Sequence, residues 1–217
     1  MNLEKARFNM IEQQIRTWDV LDLDVLNLLQ LVKREAFVPA PYKSLAFFDT
    51  EIPLSAEASM FTPKMEARLL QEAAIKKHEN VLEVGTGSGY MAALMAYKAR
   101  HVTSVEIDPA LCAMAQKNLQ DYGISNVSVE TGDAARGWNG EAAYDVIMIS
   151  GALPLLPDAF LKQVKIGGRI LAVIGEAPVM SAQLITRVSE TGYHSAKLFE
   201  TCARTLQHAQ TPSHFKF

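Results

Sequence analysis

The stretch Val81-Leu82-Glu83-Val84-Gly85-Thr86-Gly87-Ser88-Gly89-Tyr90 constrains this chain more than any other. Its apolar, β-branched start reads as a buried strand, and the alternate glycines that follow read as a tight turn into a helix. With no Cβ in the way, such a turn lets a ligand lie directly against backbone. A strand, a glycine turn and a helix open a parallel α/β sheet, in which ligands settle at the carboxyl ends of the strands. The spacing is GxGxG, not the GxGxxG of a dinucleotide site, and it lacks the GK[ST] ending of a phosphate loop.

The segments downstream repeat the alternation. Val102 to Glu106 reads as a second strand, followed by a helix opened by Asp108-Pro109. Val127 to Glu130 reads as a third strand ending in the loop Gly132-Asp133-Ala134. Tyr144 to Ile149 is the fourth, followed by a helix around 157–164 and by a Gly167-Gly168 turn into Arg169 to Ile174. Short strands alternating with helices imply right-handed βαβ units and a doubly wound, Rossmann-like parallel sheet. Beyond it, Ala182 to Val188 suggests one more strand, and the tail from His208 is expected to be loose.

Upstream the pattern is helical. Residues 3–16 and 22–34 read as two helices, the second striped by Leu21, Val25, Leu28, Leu29 and Val32. Pro39 and Pro41 exclude a helix interior, 43–63 looks irregular, and a helix starts at Pro63 with Met65, Leu69, Leu70 and Ala73 on its buried side. This divides the chain into an N-terminal helical and substrate-loop segment, 1–62, and an α/β domain, 63–217, expected to form one compact unit. A length of 217 residues suits that size.

Charge and composition narrow the partners. A formal net charge of −3 offers no electrostatic footprint for nucleic acid. There is no run of about 18 apolar residues to span a membrane, and the polar start MNLEKARFNMIEQQIR is no signal peptide, so a cytoplasmic location is expected. Cys112 and Cys202 form no CxxC pair. The histidines at 78, 101, 194, 208 and 214 have no metal-ligand spacing, so no metal is expected.

Acids at set positions identify the ligand class. Glu83 precedes the glycines inside the first strand, Glu106 ends the second, and Asp133 follows the third. A strand-end carboxylate can accept both hydroxyls of a ribose diol, and one in the next loop can accept an adenine amino group. No cationic phosphate clamp accompanies them. The ligand implied carries adenine, a ribose diol and an amino-acid tail without phosphates, which fits S-adenosylmethionine, with S-adenosylhomocysteine as product. The expected cofactor contacts are Glu83, Gly85, Thr86, Gly87, Ser88, Gly89, Glu106, Ile107, Asp133, Ala134 and Ser150. Trp138 follows Asp133 closely enough to wall the adenine or simply to pack.

Further blocks carry a family resemblance. Arg34-Glu35-Ala36-Phe37-Val38-Pro39, the segment Asp49 to Leu54, Pro63 and the VLEVGTGSGY loop follow in an order that resembles the protein-L-isoaspartate O-methyltransferase family. Asn126-Val127, Gly132-Asp133, Gly137-Trp138, Tyr144 to Ile147 and Gly167-Gly168-Arg169 resemble its later blocks. The resemblance implies a class I S-adenosylmethionine-dependent methyltransferase fold. It also implies methylation of the free carboxylate of isoaspartyl residues in damaged proteins or peptides, whose ester cyclises to succinimide and reopens partly as aspartate.

The substrate loop departs from the family pattern. Where the family has GQTIS-x-P, this chain reads Glu57-Ala58-Ser59-Met60-Phe61-Thr62-Pro63, which puts Phe61 in the serine's place. Ser55 and Glu57 stand where glycines are usual, and Leu198-Phe199-Glu200-Thr201 replaces the expected apolar strand. Ser59 and Thr62 are therefore the candidates to supply the missing hydroxyl at the catalytic position, with Met60 and Phe61 facing substrate. Three readings remain open at this point: an isoaspartyl methyltransferase, a relative with another acceptor, and a non-catalytic binder of cofactor or peptide.

Overall fold

The structure, a computed structural model, describes residues 2–138 and 143–213. Nine strands and six α-helices are named among these residues. Helices α1 (Leu3–Met10) and α2 (Leu23–Leu31) precede a small antiparallel hairpin of β1 (Ile52–Pro53) and β2 (Ser59–Met60). Helix α3 (Pro63–Ala73) then leads into the sheet strand β3 (Asn80–Val84). After β3 come α4 (Tyr90–Lys98), β4 (His101–Glu106), α5 (Pro109–Asp121), β5 (Val127–Thr131), β6 (Tyr144–Leu153) and α6 (Asp158–Gln163). A meander of β7 (Val164–Glu176), β8 (Val179–Arg187) and β9 (Tyr193–Glu200) completes the fold.

The main sheet has the order β5-β4-β3-β6-β7-β8-β9. Its first five strands are parallel, and β8 and β9 extend it antiparallel. Strand order reverses between β3 and β6, so the loops leaving their carboxyl ends diverge and open a crevice. Alternation along β3 explains the two cores. Val81 joins the apolar cluster that includes Met10, Leu29, Leu70, Tyr90 and Leu94, while Leu82 joins Ile147, Phe160 and Ile170 on the opposite face. Helix α4 is buried from Tyr90 through Ala96. A helix enclosed by the sheet on one side and the N-terminal helices on the other needs small apolar residues all round, hence its Met- and Ala-rich sequence.

Several expectations are adjusted. The helix expected over 3–16 is regular only to Met10 and continues as a wider turn over Ile11–Ile15 and a tight one over Arg16–Trp18. The helix expected over 22–34 starts where Asp22 accepts from the N–H groups of Asp24 and Val25, but it ends at Leu31. The chain turns there because Arg34 is drawn inward, where it is 1% exposed. The segment expected to be irregular contains the β1–β2 hairpin. Gly167 and Gly168 lie inside β7, where the pairing with β6 shifts register. The tail from His208, expected to be loose, is bonded to the body of the protein: the His208 ring pairs with Asp133 and its carbonyl accepts from Arg136 Nε at 3.0 Å. His214 lies outside the described residues.

Candidate functional site

A cleft with an empty volume of about 710 Å³, counting the space open at its mouth, lies at the carboxyl ends of β3, β4 and β6. The glycine turn forms its floor. Gly85 has φ +91°, and a Cβ there would stand 3.1 Å from the Ser150 carbonyl oxygen, so both conformation and space require glycine. Gly87, Glu106, Ile107, Asp133, Ala134 and Ser150 also line the cleft, and so do Ser59 and Phe61 from the hairpin side. Glu83, Thr86, Ser88 and Met60 line a smaller annex beneath it, which shares Gly85, Gly87, Ser59, Phe61 and Ser150 with the cleft.

Two expected residues line neither cavity. Gly89 caps α4 with φ +83°, and a Cβ there would meet Ala115 at 3.3 Å, so its part is to close the turn against α5. Thr62 is the N-cap residue of α3, and its carbonyl accepts from Met65 and Glu66.

Glu106 shapes the part of the cleft beside the end of β4. One carboxylate oxygen accepts from Gly87 N at 2.8 Å and the other from Asp108 N at 3.1 Å, which ties the glycine loop to the end of β4 and leaves acceptor lone pairs free. Asp133 accepts from Ala135 N at 3.0 Å and pairs with His208 Nδ1 at 2.8 Å. Burial raises its pKa, but the bonds from His208 and Ala135 outweigh that and hold the carboxyl below its usual range.

Glu83 is fully buried, accepting from Ser104 Oγ at 2.5 Å and Ser150 Oγ at 2.9 Å, with Thr86 Oγ1 a further 2.6 Å beyond Ser104. Burial pushes its pKa up to about 8 against the lowering effect of the two serine hydroxyls.

The loop that carries Phe61 is held from behind. Arg34 donates to the Phe61 carbonyl at 2.7 Å, the Ala46 carbonyl at 2.9 Å and Glu66 Oε2 at 2.9 Å. Burial lifts Glu66 to about 7 even though Arg34 pulls it down. Removing one partner of such a buried pair typically costs about 3–5 kcal/mol, so the backbone of residue 61 is firmly placed. Ser55 closes the hairpin turn by accepting from the N–H groups of Glu57 and Ala58, which is what its hydroxyl does where the family has glycine. Ser59 reaches the cleft, but its hydroxyl is committed to Glu51 Oε2 at 2.6 Å.

The sequence reading missed a whole wall of the site. Arg204, Thr205, Leu206 and Gln207 line the cleft from the C-terminal segment. They run beside the end of β6, where Ala152 N donates to the Arg204 carbonyl and Leu206 N donates to the Ala152 carbonyl. A Cβ on Gly151 would come within 2.5 Å of Leu206, so this glycine is what admits the segment. No local motif marks residues 204–207, because their role comes from a long-range pairing. The nearest available signal was the glycine at 151. Trp138 packs against the loop that carries Asp133, where a Cβ on Gly132 would stand 2.5 Å from its ring.

The donor set suits the expected cofactor. The carboxylates of Glu106 and Asp133 line one part of the cleft, bare backbone forms the floor, and among the described lining residues the one base, Arg204, sits at the hairpin end, away from those acids.

Comparison with known proteins agrees. The family model described as protein-L-isoaspartate(D-aspartate) O-methyltransferase matches residues 5–203. A protein-L-isoaspartate O-methyltransferase of Rhodopseudomonas palustris is 37% identical over 183 residues, covering 84% of this chain and 83% of the relative. That of Protochlamydia amoebophila is 37% identical over 179 residues, covering 82% and 84%. A Plasmodium falciparum structure named as a protein-L-isoaspartate O-methyltransferase, in complex with S-adenosyl-L-homocysteine, shares the fold with a TM-score of 0.80 at 21% identity, covering 95% of this chain and 99% of that one.

Proposed function

The chain belongs to the protein-L-isoaspartate(D-aspartate) O-methyltransferase family, and from that premise we propose that it moves a methyl group from S-adenosylmethionine to the free carboxylate of isoaspartyl residues in damaged proteins or peptides. The observation that carries this reading is the continuity of a single cleft from Asp133 and Glu106 at one end to Ser59 and Phe61 at the other. A donor held by the acids would present its reactive group toward the hairpin, where an acceptor could enter.

S-adenosylmethionine bound there would supply an already activated sulfonium methyl. Little acid–base work is then left to the protein. As an acceptor carboxylate oxygen bonds to the methyl carbon, the carbon–sulfur bond breaks and its electron pair returns to sulfur as a neutral thioether. The chain's own residues bind and orient. Glu106 and Asp133 hold the nucleoside, the glycine loop holds the tail against backbone, and the Arg34 clamp fixes residue 61 beside the reacting groups. Phe61 and Leu206 thin the water around a carboxylate that must shed its hydration to react.

The test is transfer of radiolabelled methyl from S-adenosylmethionine to an isoaspartyl peptide, with the matching aspartyl peptide as control. Base-labile label on the isoaspartyl peptide alone is expected. A second reading, in which the acceptor is a different carboxylate or hydroxyl compound, draws on Phe61 standing apolar in the cleft while the Ser59 hydroxyl is turned to Glu51. Cofactor binding with no transfer to either peptide would favour it.

A further inference from the structure

An anionic acceptor must enter a cleft whose charged lining is mostly acidic. Glu57, Glu106 and Asp133 line it, with Glu83 just beneath, and Arg204 is the one basic side chain among the described lining residues. The other cations near the hairpin are committed. Lys64 pairs with Asp49 at 2.6 Å and stands 4.1 Å from the centre of the Trp18 ring. Arg68 pairs with Glu72 and Asp19 and lies over Phe199. Arg34 is buried and spent on Glu66 and two carbonyls.

Arg204 differs in both position and commitment. Its backbone is pinned to the end of β6 through Ala152, so the side chain starts from a rigid point. Nη1 donates to the Ala56 carbonyl at 2.9 Å, which leans the guanidinium toward the hairpin. Nε lies 3.9 Å from Glu51, whose nearer bond is the one from Ser59, and the side chain is 51% exposed. Nη2 has no hydrogen-bond partner among the described residues. A planar guanidinium with one edge anchored and another free is suited to receiving a carboxylate.

We propose that Arg204 is the acceptor-recognition residue of this chain, a guanidinium set between the hairpin and the C-terminal segment that receives the carboxylate of the incoming acceptor. This rests on the function proposed above and adds how a cleft without the family's loop serine captures an anion. The bond forms at a half-exposed mouth and is present before the methyl moves. It therefore serves binding more than turnover and weakens as salt screens it.

The experiment compares wild type, Arg204→Ala and Arg204→Lys in three measurements. These are methyl-transfer kinetics on an isoaspartyl peptide, anisotropy of the labelled peptide on the enzyme loaded with S-adenosylhomocysteine, and calorimetry of S-adenosylhomocysteine itself. Arg204→Ala is expected to raise the peptide KM and Kd about tenfold, as loss of one charge-assisted bond does. Its kcat and its affinity for S-adenosylhomocysteine should stay within about twofold, the salt dependence of peptide binding should flatten, and Arg204→Lys should recover most of the loss. Wild-type peptide affinity in Arg204→Ala overturns the proposal while leaving the methyltransferase reading intact. So does a joint fall in peptide and S-adenosylhomocysteine affinity that lysine does not rescue, since Arg204 would then be only a latch between the two segments. If the wild-type enzyme neither binds nor methylates the isoaspartyl peptide, the functional reading fails and this inference falls with it.

Discussion

The acid-lined end of the cleft and its hairpin end are assembled in different ways. Glu83, Gly85, Gly87, Glu106 and Asp133 all come from successive βα units, each at the carboxyl end of a strand whose neighbour is set by regular parallel pairing. The hairpin end gathers Ser59, Phe61, Arg204 and Leu206 into the same cleft, residues far apart in the chain. The contacts at the acid-lined end follow from strand order and turn chemistry. Those at the hairpin end depend on a buried arginine, a glycine that makes room and a bridge to Thr205.

That contrast can be broken experimentally. The largest effect on binding is expected at the acid-lined end, where Glu106→Ala should weaken S-adenosylhomocysteine binding by about 100-fold, the equivalent of about 3 kcal/mol of charge-assisted bonding. Calorimetry reads this directly, and unchanged affinity would mean that the ribose does not lie at Glu106.

His208 probes whether the two ends are independent, since it reaches from the C-terminal segment to Asp133. His208→Ala should loosen S-adenosylhomocysteine about three- to tenfold by freeing Asp133 and releasing the end of the segment. An effect confined to peptide KM would instead separate the two ends completely.

A further effect is read on stability, not on binding. Burial lifts Glu83 to about 8 and Glu66 to about 7 from 4.5, so the folded state holds protons that the unfolded state releases. Their contribution is full below about pH 4.5 and is lost as pH rises through the folded values. Tm of the free protein should therefore fall from pH 5 to pH 8, and Glu83→Gln, which keeps the shape without the charge, should flatten that slope. A wild-type Tm that stays level across this range would show that neither carboxyl is held neutral.

The ring at 208 illustrates how far the sequence could be read. His208 looked like part of a free tail because it follows no periodic segment and carries no motif, yet it clasps the acid that the motif Gly132-Asp133 had marked. Ser59 shows the reverse. Its place in the loop was legible, but the direction of its hydroxyl was not, since Glu51 takes that bond across the hairpin. Arg34 stood in a recognisable block, while its grip on the Phe61 carbonyl needed the fold to appear.

By itself the sequence determined the α/β class, the order of the parallel strands' motifs, the glycine floor and the acids at three strand ends. These depend on local periodicity, on glycine's backbone freedom and on the rule that strand ends gather at one edge of a sheet. Only the tertiary structure decided that the C-terminal segment walls the cleft, that the serine hydroxyl faces Glu51, and that Arg204 is the one base among the described lining residues. Each of those depends on packing between residues far apart in the chain, where shape and burial choose the partner and no local spacing records the choice.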